Sequence, residues 1–345
     1  MKRLPLMDLA QFVAALLVIL IHCGRLVENE VLHFVLKSLL ARIAVPLFLV
    51  INGYFYREKQ KKDSSYPKRY FWRQLQVYFL WSLFYLPYGW QILQEQKISF
   101  FWYPAAFIVA LLYLGSCYHL WYFPTLLMGI KCSSWLTKRY SYPVLFCLAG
   151  SFFFLGSSET YSAYLTGIPA FLYENYQKIF FTTRNGVFFG FIFVLMGFFL
   201  SDYPQHSLFT RKPVFKLGAS LILFAIEGSI VFHQQGTDKN FFFALIPISL
   251  LLASLLRKDC SLKHTRRWKE YSKGLFFLHP FFLEIIQKTA AIADFRISGL
   301  QLFCLTALMT LLFLIGKKQG EKVLKGFFFA EKDSSKSQKV PFRRV

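Results

Sequence analysis

Four ionisable side chains sit where an apolar sequence carries few. His22 ends the apolar run that begins at Leu6, Arg42 interrupts the next run, His119 opens another, and Glu227 lies past the middle of a fourth. Ionisable groups in hydrocarbon are costly, so such residues are read first as functional. A neutral imidazole in a partly dehydrated cavity can take a proton from a hydroxyl, which unaided is a poor nucleophile. Glu227 could orient its second nitrogen, and His119 or Arg42 could face a developing oxyanion. These residue types therefore suit transfer of a group to a hydroxyl. His22, Glu227 and His119 are the catalytic candidates, and Arg42 is a substrate-binding candidate.

A second polar group falls towards the other ends of the same runs: Asp8, Arg73, His279 and Glu284. Asp8 equally suits a helix cap, Arg73 an interfacial anchor, and Arg42 with Glu227 a structural ion pair. With its span starting near Lys273, His279 lies about 9 Å in, whereas His22 lies about 24 Å along its own span, at ~1.5 Å per residue. The two imidazoles are thus expected about 15 Å apart in depth, without contact. Pairing of His22 with His119 or Glu227 is the easier geometry.

The elements that must hold these residues follow from composition. The chain has 345 residues, 55% hydrophobic and 20% aromatic, with only 17% charged. Its mean hydropathy is +0.41. Continuous apolar runs of about 18–22 residues recur, each long enough for a ~30 Å hydrocarbon core, and they do not alternate as barrel strands would. The reading is an all-α polytopic membrane protein of about ten transmembrane helices, at 7–25, 35–56, 72–93, 118–136, 141–157, 186–201, 214–232, 239–256, 272–290 and 298–316. The apolar stretch 100–115 is expected to lie interfacially or re-enter. Residues 1–316 then form one membrane domain, followed by a basic cytoplasmic tail at 317–345.

The net charge of +22 points to topology and not to nucleic acid. Lys and Arg crowd 57–73, 257–273 and the tail, which share one side if both termini are cytoplasmic, as the positive-inside pattern requires. The six cysteines show no metal-binding spacing and are expected to be unpaired. Pro46, Pro87, Pro124, Pro247 and Pro280 can each bend a span around a cavity.

Several segments together resemble the acyltransferase 3 family of integral membrane proteins. They are the first run from Asp8 to His22, the block Arg42-Ile-Ala-Val-Pro46 with Gly53-Tyr-Phe55, the segment His119-Leu-Trp-Tyr-Phe-Pro124, and Leu275-Phe-Phe-Leu-His-Pro280. The basic stretch with Lys68, Arg69 and Arg73 is similar to that family's cytoplasmic Arg-rich stretch. The matches run in family order from about residue 4 to 316. The Arg-Ile-Ala-Val-Pro version is closest to membrane domains joined to serine racemases, which are implicated in amino-acid uptake.

The resemblance implies ten spans in a bacterial plasma membrane. It implies transfer of an acyl group, often acetyl, from cytoplasmic acyl-CoA to a hydroxyl of an envelope glycan or a related small molecule. It makes His22 the catalytic base and places Asp8, Arg69, Arg73 and His279 among the substrate-binding residues. Gln11 stands where many members carry Arg. The alternative is a permease for a small polar solute such as an amino acid. The expected partners are the lipid bilayer and the hydroxyl acceptor, with no metal and no nucleic acid.

Overall fold

A computed structural model of the chain describes residues 4–97, 99–258, 260–262 and 265–337, and the side chains among them except those of 266 and 322–337. The described residues are helical, with no β-strand among them. In chain order, the helices of ten residues or more are α1 (Pro5–His22), α2 (Ala44–Gln60), α3 (Tyr66–Phe84), α4 (Leu86–Glu95), α5 (Tyr122–Leu136) and α6 (Tyr142–Gly156). They continue with α7 (Gly167–Phe180), α8 (Phe191–Asp202), α9 (Pro213–His233), α10 (Leu245–Leu255), α11 (Thr265–Ile292) and α12 (Gly299–Ser337). Proline sits in the first turn of α1, α3, α4, α6 and α9, where its missing N–H costs no helix bond.

The expectation of about ten transmembrane helices does not hold. Among the described residues, five helices are long and apolar enough to cross a membrane: Pro5–His22, Glu30–Gln60, Pro213–His233, Arg267–Ile292 and Gly299–Glu321. The other expected spans fail on length or polarity. Helices α5 and α6 have 15 residues each, α8 has 12 and α10 has 11. Helix α3 reaches 19 residues but includes Lys68, Arg69 and Arg73. Apolar runs read from sequence include loop residues, and a span needs about 20 residues in continuous helix. The inference that both termini are cytoplasmic rested on that count and falls with it.

Stretch 100–114 forms a short apolar helix, with a π-helical turn at 110–114. Two further π-helical turns, Val35–Leu39 and Gly186–Gly190, precede α2 and α8.

Two ends of the helix assembly are fixed by polar latches. At the end where α1 begins, Asp202 receives Arg57, Lys61 and the Tyr142 hydroxyl, tying α2, α6 and α8. Also at this proximal end, Lys318 pairs with Glu270, joining α11 to α12. At the distal end, where α1 finishes, the Arg25 carbonyl accepts the Gly299 amide at the start of α12. Between these ends the core is aromatic, with Phe153, Phe189, Phe191, Phe193, Phe198, Phe241 and Phe242 all essentially inaccessible. Helices α2 and α8 touch backbone to backbone. A Cβ on Gly53 would lie 2.6 Å from the Val194 carbonyl oxygen, so only glycine fits that crossing.

Candidate functional site

Three of the candidate residues meet. The His22 and His279 rings stack with centroids 5.6 Å apart and 18° between planes, and His119 lies edge-on to His279 at 5.3 Å. Tyr118 fills the remaining side, 4.2 Å from the His22 ring. The expected depth gap between His22 and His279 is therefore overturned. Helix α11 starts at Thr265, because the Arg- and Lys-bearing stretch before Lys273 is itself helical. His279 consequently lies about 21 Å into its helix at ~1.5 Å per residue, level with the end of α1.

The hydrogen bonding of the three rings is incomplete. His279 Nδ1 is 2.9 Å from the Leu275 carbonyl oxygen. A carbonyl can only accept, so Nδ1 carries the proton and Nε2 of the neutral ring has a lone pair. That Nε2, and both ring nitrogens of His119, are buried without a partner among the described residues. Buried polar groups are nearly always satisfied, so three orphans in one cluster require a cause. Pro280 follows His279 and removes one helix hydrogen bond, which loosens α11 beside the imidazoles.

A cavity of about 680 Å³ approaches this cluster from the proximal end. Lys59, Arg73, Lys269 and Lys273 line it, with Asp8, Gln11 and Asn52. Its cations are held by aromatic faces: Lys59 lies over Tyr66, Lys269 over Phe55 and Arg73 at the Tyr70 ring. Asp8 is paired with Lys269 at 3.6 Å, so this carboxylate lines the cavity and does not merely cap α1. Gln11 presents a buried Oε1 without a partner among the described residues. Tyr122, Phe123 and Phe276 also line the cavity, and the Phe276 ring stands 5.3 Å from His119. Arg69 is not among the lining residues. It pairs with Asp63 in the turn before α3.

A second cavity of about 410 Å³ lies at the distal end, lined by Gly24, Lys37, Ser38, Arg42 and Lys239 among others. Gly24 is two residues beyond His22, and its carbonyl accepts from Lys37 Nζ at 2.7 Å. Arg42 donates to Asn240 Oδ1 at 2.5 Å and faces Asp238 at 3.7 Å. Arg184 reaches the other oxygen of Asp238 at 3.3 Å. Burial by itself would raise the Asp238 carboxyl, but Arg184 and Arg42 hold it below its ordinary value.

Glu227 is placed elsewhere. Its carboxylate accepts from the Tyr161 hydroxyl and from the amides of Phe243 and Ala244, capping the start of α10. The expected pairing of Glu227 with His22 is not what its hydrogen bonds show. Sequence reasoning missed Tyr118, Phe276, Asp238 and the two lysines of the distal cavity. Lys37 carried a signal, as a cation within an apolar run, whereas the aromatic residues were lost among 42 phenylalanines.

Residues 5–316 match the acyltransferase 3 family model, described as an acyltransferase domain. A serine/alanine racemase of Enterococcus gallinarum is 29% identical over 329 residues, covering 89% of this chain and 45% of the relative. An amino-acid racemase of Enterococcus faecalis is 27% identical over 57% of this chain and 28% of its own length. Another amino-acid racemase of that organism is 23% identical over 98% of the chain and 48% of its own length. The chain thus spans less than half the length of these curated relatives. No solved structure matches. With its model covering nearly all of the helical assembly, the chain belongs to the acyltransferase 3 family of membrane proteins.

Proposed function

We propose that this protein transfers an acyl group, acetyl in the simplest case, from acyl-CoA to a hydroxyl of an envelope glycan or related molecule. The single observation that carries this is three imidazoles between two cavities, with three ring nitrogens that have no partner among the described residues. The proximal cavity suits the donor. Its Lys and Arg side chains match the phosphates of a nucleotide thioester, and its aromatic walls match an uncharged arm reaching inwards. The donor then enters at the proximal cavity, and the membrane is a bacterial plasma membrane. Residues 1–316 carry the reaction, and 317–345 form a basic tail.

In the reaction, His22 takes the proton of the acceptor hydroxyl as its oxygen attacks the thioester carbonyl. His119 donates an N–H to the oxyanion, the C–S bond breaks, and the proton passes to the departing thiolate. His279, held by Leu275, positions the His22 ring by stacking. Such a base is worth about 10²–10⁴-fold in rate and an oxyanion donor about 10²–10³-fold.

Replacement of His22 by Ala tests the assignment. Membrane vesicles with radiolabelled acetyl-CoA should label an envelope acceptor with the parent protein and not with the variant, at equal expression. Full labelling by His22→Ala would overturn the role of His22. Solute uptake by vesicles lacking acyl-CoA would instead identify a permease.

A further inference from the structure

The distal cavity has a charge imbalance that the helix assembly itself does not require. Arg42 and Arg184 share the carboxylate of Asp238, and the buried Glu159 carboxylate lies close to Asp238, so the excess positive charge of this cavity rests on Lys37 and Lys239. Arg42 Nε is buried with no partner among the described residues. Lys37 and Lys239 line the same cavity, and neither has a carboxylate within ion-pair distance among the described residues. Burial, then neighbouring Arg42, lowers the Lys239 ammonium below its ordinary value. Arg25 and Glu30 stand at the lining too, with Arg25 bound to the carbonyls of Val27 and Glu28 and paired with the Glu28 carboxylate at 3.8 Å. Among the described residues, Glu30 is the one carboxylate lining this space, against four cations.

We infer that the distal cavity binds an anionic group, a carboxylate or a phosphate, on the hydroxyl-bearing acceptor. This deepens the acyl-transfer reading and rests on it for the word acceptor, although the binding itself does not. Arg42 supplies directional N–H donors, and Lys37 and Lys239 supply mobile point charges. At about 410 Å³ the space lies in the small-molecule range. An anion held there is delivered beside Gly24, two residues beyond His22 in the chain, so a hydroxyl on the same molecule can reach the imidazole layer. A neutral sugar or a zwitterion would leave the excess charge unanswered.

Equilibrium binding to the purified full chain in phosphatidylcholine nanodiscs tests this, with glucuronate, glucose 6-phosphate, glucose and serine as probes and no acyl-CoA. Glucuronate or glucose 6-phosphate should bind at least about tenfold more tightly than glucose or serine, as expected for charge-assisted contacts. Which of the two binds identifies the anion. Lys37→Gln in the helical turn Val35–Leu39 and Lys239→Gln in the loop before α10, both half-buried, should each weaken that binding about tenfold, and added salt should weaken it further. Equal affinity for glucose and the anions, or full anion binding in both variants, would overturn the inference. Serine binding most tightly would also overturn it. A shift caused by phosphatidylglycerol in the nanodisc and by no soluble anion would assign the charge to a lipid headgroup and overturn it likewise. Anion binding without any acyl transfer would leave the cavity assignment standing and remove the reaction.

Discussion

His119 offers the sharpest separation between chemistry and architecture. Its two ring nitrogens are buried and meet no partner among the described residues, while its faces touch Tyr85 at 5.1 Å and Phe276 at 5.3 Å. An unsatisfied buried polar group costs about 1–3 kcal/mol, and replacing it by an apolar group of similar shape is neutral or stabilising. His119→Leu removes two such groups and keeps apolar contact with both rings. The variant should therefore unfold at the same temperature as the parent or slightly higher, by about 2 °C or less per kcal/mol for a chain larger than 250 residues. Its acyl transfer should fall about 10²–10³-fold if His119 holds the oxyanion, equivalent to about 3–4 kcal/mol of lost transition-state stabilisation. Thermal unfolding in detergent and turnover of labelled acetyl-CoA read the two effects on one preparation. A variant that melts earlier and turns over normally would show His119 to be structural and refute the reasoning.

Other perturbations follow from the same geometry. Arg73→Ala and Lys273→Ala should each raise KM for acyl-CoA about tenfold with a smaller effect on kcat, since both line the proximal cavity away from the imidazoles; an unchanged KM would remove the donor from that cavity. Glu227→Gln should lower thermal stability by about 1–2 kcal/mol, because its carboxylate accepts two amides at the start of α10; a hundredfold fall in activity per folded molecule would return Glu227 to the chemistry. Gly53→Ala should destabilise by about 1–3 kcal/mol, read as a lower melting temperature, by forcing α2 away from the Val194 carbonyl. Glu159 gives a pH dependence: burial, then Asp238, raises its carboxyl above the ordinary value of 4.5. The native state then binds the proton more tightly than the unfolded chain, so stability is present below that ordinary value and is lost as pH rises through the folded value. Glu159→Gln should flatten the fall of melting temperature as pH rises above 4.5, and an unchanged slope would refute the assignment.

The residues that break apolar runs were legible from sequence, and three of them, His22, His119 and His279, do form one cluster. Their mutual geometry was not. The stretch before Lys273 reads as a polar loop, yet long cationic side chains can extend along a helix and keep their heads in water. The helix therefore began earlier, and every depth counted along it shifted. The number of membrane-crossing helices failed for the related reason that apolar composition continues through loops. Phe243 is apolar in sequence, but its amide is bound by Glu227 in the turn before α10, and that helix has only 11 residues. The Asp202 latch was also hidden, since its three partners come from positions more than fifty residues away.

The arrangement of charge along the molecule bears on what must move. Cations line the proximal cavity, cations line the distal one, and the layer between them is built from Tyr118, Tyr122, Phe276 and the three imidazoles. A charged donor held by Lys59, Arg73, Lys269 and Lys273 has no favourable place in that layer, and neither does an anionic acceptor held by Lys37 and Arg42. An acyl group is uncharged and small. In the proposed reaction it alone crosses, and the Phe276 ring stands beside His119 at the point of crossing. Phe276→Ala should consequently admit longer acyl chains while leaving the phosphate contacts intact. Competition between acetyl-CoA and butyryl-CoA should shift towards butyryl by about tenfold, as the removal of a full ring from a pocket wall allows. An unshifted preference, with KM for both thioesters raised equally, would place Phe276 in the binding wall and not at the crossing.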